Sequence, residues 1–153
     1  MTRVLIAERQ TLIRKLLRVF LENDPNFEVI ADVTLGSEII EKLQHSAIDV
    51  LILNVSMSDI SAIDLIIRAK TISPKLTILA FSTSSDAQLV TQAMKNGVNG
   101  YISTMHDLNE FSGVLHKVIG GGRLSIQPLL KICCWTAYWV PPQRRIHICR
   151  CVN

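Results

Sequence analysis

Short runs of apolar residues alternate along the chain with longer stretches in which apolar residues recur every three or four positions. The short runs are typical of strands buried on both faces, and the longer stretches are typical of amphipathic helices. Five strands are predicted: Val4–Ala7, Phe27–Val33, Val50–Leu53, Thr77–Phe81 and Tyr101–Ile102. A helix-length stretch follows each of them. This alternation predicts an α/β fold, a doubly wound (βα)5 domain with a five-stranded parallel sheet.

The spacing of apolar residues also predicts which face of each helix packs on the sheet. In the first helix the predicted buried residues are Ile13, Leu16, Leu17 and Phe20, and in the third they are Ile63, Ile66 and Ile67. The third helix is preceded by Ser61, with Asp64 three residues later. This spacing predicts a capping box, in which the hydroxyl and the acid satisfy free amides at the start of the helix.

Composition divides the chain into a domain, predicted to span residues 1–128, and a tail of residues 129–153 that is not predicted to be a domain. The 153 residues are 48% hydrophobic and 19% charged, as expected of a folded protein with a substantial core. None of the 13 acidic residues lies in the tail, which holds four of the 16 basic residues: Lys131, Arg144, Arg145 and Arg150. The domain therefore carries 12 basic and 13 acidic residues, a balance that does not favour binding to nucleic acid.

The sequence also bears on where the protein resides. The longest apolar stretch, residues 132–140, is far shorter than the roughly 18 residues that indicate a membrane span. The first apolar run, Val4–Ala7, is too short for a signal peptide. All four cysteines lie in the tail, so the domain needs no disulfide and suits a reducing compartment. We expect a cytoplasmic protein without a membrane span.

Candidate functional residues lie where the predicted strands end. In an open parallel sheet the ligand site lies beyond the carboxyl ends of the strands. The side chains at or just after these ends are Glu8, Arg9, Asn54, Ser82 and Thr104. They define a candidate site of mixed charge at one edge of the sheet.

At these positions the chain resembles the receiver domains of two-component response regulators, especially those that precede a LuxR-type helix-turn-helix. The resemblance covers residues 2–125 and rests on spacing. Val4–Ala7 precedes the family's acidic pair, Asn54 stands at its aspartate, Ser82 at its hydroxyl, and Gly100–Thr104 at the strand that ends in its lysine. The resemblance implies a flavodoxin-like fold. It also implies an aspartate that accepts a phosphoryl group from a histidine kinase, with Mg²⁺ held by that aspartate and the acidic pair.

Three positions depart from the family's pattern. Glu8 and Arg9 stand at the acidic pair, so a permanent cation replaces one carboxylate and Mg²⁺ binding is expected to be weak or lost. Asn54 offers a neutral amide in place of the anionic nucleophile. Thr104 has no positive charge to stabilise a phosphoryl oxygen. The sequence therefore predicts a degenerate phospho-acceptor site without catalytic residues.

A few positions remain compatible with the family's chemistry. The backbone carbonyl of Ser56 would complete a metal site, so Glu8 and Ser56 form at most a vestige of one. By the resemblance, Ser82, Tyr101 and Thr104 occupy the positions that respond to phosphorylation. Tyr101 can equally be a core residue, and Arg9 can pair with Glu8 or Asp59 or point to solvent.

The tail invites two interpretations. One is that it is the product of a shifted reading frame or a truncated gene, so that the family's helix-turn-helix is absent and no direct DNA binding is expected. The other is a metal site built from Cys133, Cys134, His147, Cys149 and Cys151. Their spacing does not match the usual Cys-x₂₋₄-Cys pairs, which disfavours the metal site.

The leading functional hypothesis is a non-enzymatic pseudo-receiver that acts in signal transduction or transcription regulation through protein contacts and without phosphorylation. By the resemblance, the first, fourth and fifth helices carry dimer contacts, so the expected partner is a second copy or another response regulator. A second hypothesis is a decoy that a histidine kinase still recognises. A third is a small flavodoxin-like nucleotide or flavin binder, which the absence of a Gly-rich loop after Ala7 disfavours.

Overall fold

The computed structural model of the chain describes residues 1–57, 59–82, 86–103, 108–122 and 124–126. The described strands are β1 Thr2–Ala7, β2 Phe27–Val33, β3 Val50–Asn54, β4 Thr77–Ser82, β5 Gly100–Ser103 and β6 Leu124–Ile126. The helices are α1 Thr11–Glu22, α2 Gly36–His45, α3 Ala62–Ile72, α4 Ala87–Lys95 and α5 Leu108–Ile119. The predicted α/β fold with parallel strands and five helices is confirmed. The predicted tail lies outside the described residues, so the domain boundary stays a prediction.

The strands form one parallel sheet in the order β2-β1-β3-β4-β5-β6. The chain first moves outward from β1 to β2 and then returns to add β3 on the other side of β1. In doubly wound sheets this reversal leaves a crevice at the carboxyl ends of the two central strands. Ala7 pairs with Leu53 at that end, so the residues that follow them lie beside each other.

One strand was not predicted. β6 pairs in parallel with β5, with Ile126 opposite Ile102. The sequence pattern ended at Gly120–Gly122, where Gly121 has a φ of +89° and the last helix stops. A strand of three residues is too short to produce a recognisable apolar alternation, so nothing in the pattern indicated β6.

The sheet separates two apolar layers. Successive side chains of β1 alternate between them: Leu5 and Ala7 pack with α2, α3 and α4, whereas Val4 and Ile6 pack with α1 and α5. Burial on both faces explains why the central strands are continuous apolar runs. None of the helices in the described parts of the chain is long and apolar enough to cross a membrane.

Two of the predicted helix faces need correction. Leu16 of α1 is 52% exposed and Ile67 of α3 is 45% exposed, although both were predicted to be buried. Leu21 and Leu65 are buried in their place. Both helices carry apolar residues on more than one side, so spacing alone did not identify the inner face.

The capping box predicted for α3 is also wrong. The helix begins at Ala62, one residue after Ser61, so its position was predicted correctly. The Ser61 side chain, however, makes no capping hydrogen bond.

Candidate functional site

Three polar or charged side chains are buried within the described part of the chain: Glu8, Asn54 and Ser82. Glu8 directly follows β1, Asn54 is the last residue of β3, and Ser82 is the last residue of β4. Because these strands are adjacent and parallel, all three side chains lie at one edge of the sheet. Buried polar groups are expected only where hydrogen bonds compensate for the loss of water, so this edge is the chemically distinct part of the domain.

The amide of Asn54 bridges two neighbouring groups. Its Nδ2 donates to Oε2 of Glu8 at 2.7 Å, and its Oδ1 accepts from the backbone N–H of Ser56 at 2.8 Å. Both ends of the amide are therefore used, with the donor on the anionic partner and the acceptor on the backbone. A neutral amide in this arrangement lacks the lone-pair nucleophile that phosphoryl transfer to a carboxylate uses.

The loop after β1 holds the Glu8 carboxylate in place. The backbone N–H of Gln10 donates to Oε1 of Glu8 at 2.6 Å, so both carboxylate oxygens accept a hydrogen bond from an amide. Arg14, in the first turn of α1, donates to the backbone oxygens of Glu8 at 2.9 Å and Arg9 at 3.2 Å. The same guanidinium pairs with Asp32 of β2 at 2.9 Å, which fastens this loop to the neighbouring strand.

The loop after β3 forms the opposite wall of the site. The Oγ atoms of Ser56 and Ser82 lie 3.5 Å apart. Further along, the carboxylate of Asp59 accepts hydrogen bonds from the backbone N–H groups of Gly36 and Ser37 at 2.8 and 3.0 Å. Asp59 therefore ties the loop to the start of α2.

Tyr101 of β5 is fully buried, beside Ser82 at the end of the neighbouring strand. Its hydroxyl lies near the Ser82 hydroxyl, but it forms no hydrogen bond of good geometry with the described residues. Burial raises the pKa of the Tyr101 phenol, the Ser82 hydroxyl lowers it by a smaller amount, and the negative charge of Asp86 raises it further. The phenol is therefore neutral at physiological pH.

The remaining predicted site residues differ in where they lie. Arg9 directly follows Glu8 and is exposed. Thr104 lies outside the described residues, as do the tail's cysteines and His147. The structure thus brings together Glu8, Asn54, Ser56 and Ser82, and it places Tyr101 beside Ser82. Within the described segments no group of three or more His, Cys, Asp or Glu side chains is placed to hold a metal ion.

The sequence did not reveal the residues that hold the two loops. Gln10 contributes a backbone amide, which no residue type could have indicated. Asp59 is remote in sequence from the start of α2, so no local pattern indicated that its carboxylate accepts from Gly36 and Ser37. Arg14 belongs to a helix with several basic residues, so its contact with the loop had no distinguishing signal.

Comparison with known protein families matches residues 4–115 to the response regulator receiver domain. Among curated proteins, the chain is 26% identical over 118 residues to the fimbriae Z protein of Salmonella typhimurium, covering 77% of this chain and 56% of that protein. It is 30% identical over 102 residues to a nitrate/nitrite response regulator protein homolog of Haemophilus influenzae, covering 65% of this chain and 48% of that protein. The chain thus spans about half the length of these relatives.

Solved structures show the same fold at lower identity. The isolated REC domain of RcsB from Salmonella enterica serovar Typhimurium, determined with the phosphomimetic BeF3−, has a TM-score of 0.76 at 19% identity. The match covers 82% of this chain and 94% of that one. A LuxR-family two-component response regulator from an Aurantimonas species also gives 0.76, at 18% identity and 84% and 91% coverage.

Proposed function

The chain belongs to the response regulator receiver domain family, and on this basis we propose that it is a pseudo-receiver that signals through protein contacts without being phosphorylated. In this proposal the chain is not an enzyme, acts in the cytoplasm and contributes to transcription regulation through the proteins it contacts. The 12 basic and 13 acidic residues before the tail do not favour direct binding of DNA by this part of the chain.

The observation that carries this proposal is the arrangement at Asn54. The position at which receivers have their acceptor aspartate is occupied by an amide whose donor and acceptor both have partners inside the protein. A receiver aspartate must instead present a free carboxylate oxygen to the incoming phosphorus. Support also comes from Arg9, which places a cation where the family has an acid.

Protein contacts are supported by an exposed apolar face on α1. Leu12, Leu16 and Val19 are 71%, 52% and 58% exposed, and their spacing of four and three residues puts them on one side of the helix. We call these three residues the α1 surface. Exposed apolar groups that cluster in this way are typical of interaction sites.

We propose that a second copy of the chain covers the α1 surface. Phe20 is four residues after Leu16 and lies beside it on the helix. Its ring packs edge to face on Phe111 of α5, so the α1 surface borders α5. Both helices belong to the set that carries dimer contacts in the resembled receivers. The near balance of 12 basic and 13 acidic residues before the tail leaves little charge repulsion between two copies.

Phosphorylation is tested with a small-molecule phosphodonor and Mg²⁺. We expect no acyl phosphate on the chain, because Asn54 supplies no nucleophile. The control is the triple variant Arg9→Asp, Asn54→Asp, Thr104→Lys, which restores the family's residue types and should become phosphorylated. Phosphorylation can be followed by intact-mass spectrometry as a gain of the mass of one phosphoryl group. An acid-stable or hydroxylamine-sensitive phosphate on the unaltered chain would defeat the proposal.

A further inference from the structure

Receivers hold a divalent cation between acidic side chains at the strand ends, and the geometry of this chain can be tested against that ion. Mg²⁺ requires about six oxygen ligands in an octahedral arrangement. Here Oε1 of Glu8 faces the N–H of Gln10 at 2.6 Å, and Oε2 faces the N–H of Asn54 at 2.7 Å. The oxygen of the Asn54 amide is turned away, toward the N–H of Ser56. The atoms that face one another are a donor and an acceptor in direct contact, so these residues do not fit the ion.

We infer that the Asn54 amide takes the place of this cation, joining the buried Glu8 carboxylate to the end of β3 so that the site is complete without a metal. In a receiver, the ion offsets the repulsion between the negative charges of neighbouring carboxylates. In this chain, the N–H of Asn54 meets the single buried carboxylate directly. The inference deepens the proposed function, because it names what holds the site in one state without phosphate or metal.

The residue type at position 54 follows from this role. Aspartate would place two carboxylate oxygens at the separation now spanned by the hydrogen bond, an arrangement that is unfavourable unless a proton or a cation lies between them. Alanine would leave Oε2 of Glu8 buried without its donor. Of these residue types, only asparagine both donates to Glu8 and accepts from Ser56.

The test is thermal unfolding of the full chain in EDTA and in millimolar MgCl2. The unaltered chain should unfold at the same temperature in both. Asn54→Asp should lower the midpoint in EDTA by about 5 °C or more, and MgCl2 should restore at least about half of the loss. Asn54→Ala should lower the midpoint equally in both solutions, because it removes the bridge without creating a ligand for the ion.

A charge-swapped pair is the matched control. In Glu8→Gln, Asn54→Asp the amide lies on the first strand's side and the carboxylate on the third strand's side, so donor and acceptor are exchanged. This double variant should recover most of the stability that Asn54→Asp loses in EDTA, and it should not respond to MgCl2. If Asn54→Asp does not fold in EDTA, the comparison of the unaltered chain with the double variant still decides the question.

Three results would overturn the inference. One is a higher midpoint of the unaltered chain in MgCl2, since an ion would then fit the site. Another is an Asn54→Asp variant that is as stable in EDTA as the unaltered chain. The third is a double variant that is no more stable in EDTA than Asn54→Asp. All are measured on the chain alone, so they leave the proposed protein contacts and the phosphodonor experiment to stand or fall separately.

Discussion

The hydroxyl of Tyr101 is buried near the Ser82 hydroxyl but makes no hydrogen bond of good geometry within the described residues. Burying such a group costs free energy because it loses its bond to water. The ring itself fills the apolar layer that includes α3 and α4. The side chain therefore contributes through its volume, and its polar end contributes little to stability.

Tyr101→Phe should consequently leave the free energy of unfolding unchanged or raise it by up to about 1 kcal/mol, because it removes an oxygen without a well-formed hydrogen bond and keeps the ring. The measurement is urea unfolding at neutral pH. Tyr101→Ala is the control for volume and should cost about 3–5 kcal/mol. A loss of more than about 1 kcal/mol in Tyr101→Phe would show that the hydroxyl has a partner, and the hypothesis of a purely steric role would be abandoned.

Individual site residues were predictable from the sequence where the strand pattern alone placed them. Asn54 and Ser82 end apolar runs and Glu8 follows one, so parallel pairing puts all three at the same edge. The bond between Asn54 and Glu8 was not predictable, because it depends on side-chain rotamers 46 residues apart. The backbone amide of Gln10 carries no sequence signal at all.

At the scale of elements, α2 shows how one loop fixes another. Its first residues lack a local cap, since Leu35 precedes the helix. Glu38 accepts from the N–H groups of Thr34 and Leu35, and Asp59 of the β3–α3 loop supplies the acceptor for Gly36 and Ser37. A side chain at Gly36 would crowd this contact, because its Cβ would lie 3.3 Å from Oδ1 of Asp59.

Asp59→Asn should lower the free energy of unfolding by about 1 kcal/mol at neutral pH, since a charged cap at a helix N-terminus becomes a neutral one. Burial alone would raise the pKa of Asp59, but the amides of Gly36 and Ser37 outweigh it and hold the pKa below its ordinary value. A lowered pKa in the folded state means that the stabilisation is present above the unfolded-state pKa. It is lost as the pH falls through the folded-state pKa.

The difference in free energy of unfolding between the unaltered chain and Asp59→Asn should therefore shrink as the pH is lowered from 7 to about 3. Urea unfolding at each pH measures it. Glu41→Gln, an exposed change of charge on the same helix, is the control and should have little effect at either pH. A difference that stays constant or grows toward acid pH would contradict the capping role of Asp59.

Elements differ in how far the sequence predicts them, for a physical reason. A central parallel strand is covered by helices on both faces, so it must be apolar, and the predicted Val50–Leu53 falls one residue short of the fully buried β3. A helix buries only one side, and in α1 the exposed Leu16 is as apolar as the buried Leu21. The sequence cannot show which apolar side faces the sheet when another side is kept apolar for a different contact.

For the whole molecule, this excess of apolar residues on α1 has a consequence for assembly. The α1 surface lies outside both layers of the core, so folding does not account for it. If two copies pair about a two-fold axis through this surface, each of its residues is buried in the interface on both copies. A single substitution then acts on both halves of the interface.

Leu16→Lys should therefore convert a dimer into a monomer. Placing a lysine in each half of an apolar contact should raise the dissociation constant of the dimer by at least about a hundredfold, measured by sedimentation velocity over a range of concentrations. Ile67→Lys is the matched control, because Ile67 is 45% exposed on α3, away from the α1 surface, and it should leave the dimer intact. At a low concentration, where all the chains are monomeric, both variants should have an unfolding midpoint close to that of the unaltered chain. An unaltered chain that stays monomeric at high concentration would rule out self-association through this surface, and so would a Leu16→Lys variant that still dimerises. If the unaltered chain instead captures an intact response regulator and Leu16→Lys does not, the surface belongs to a heterodimer.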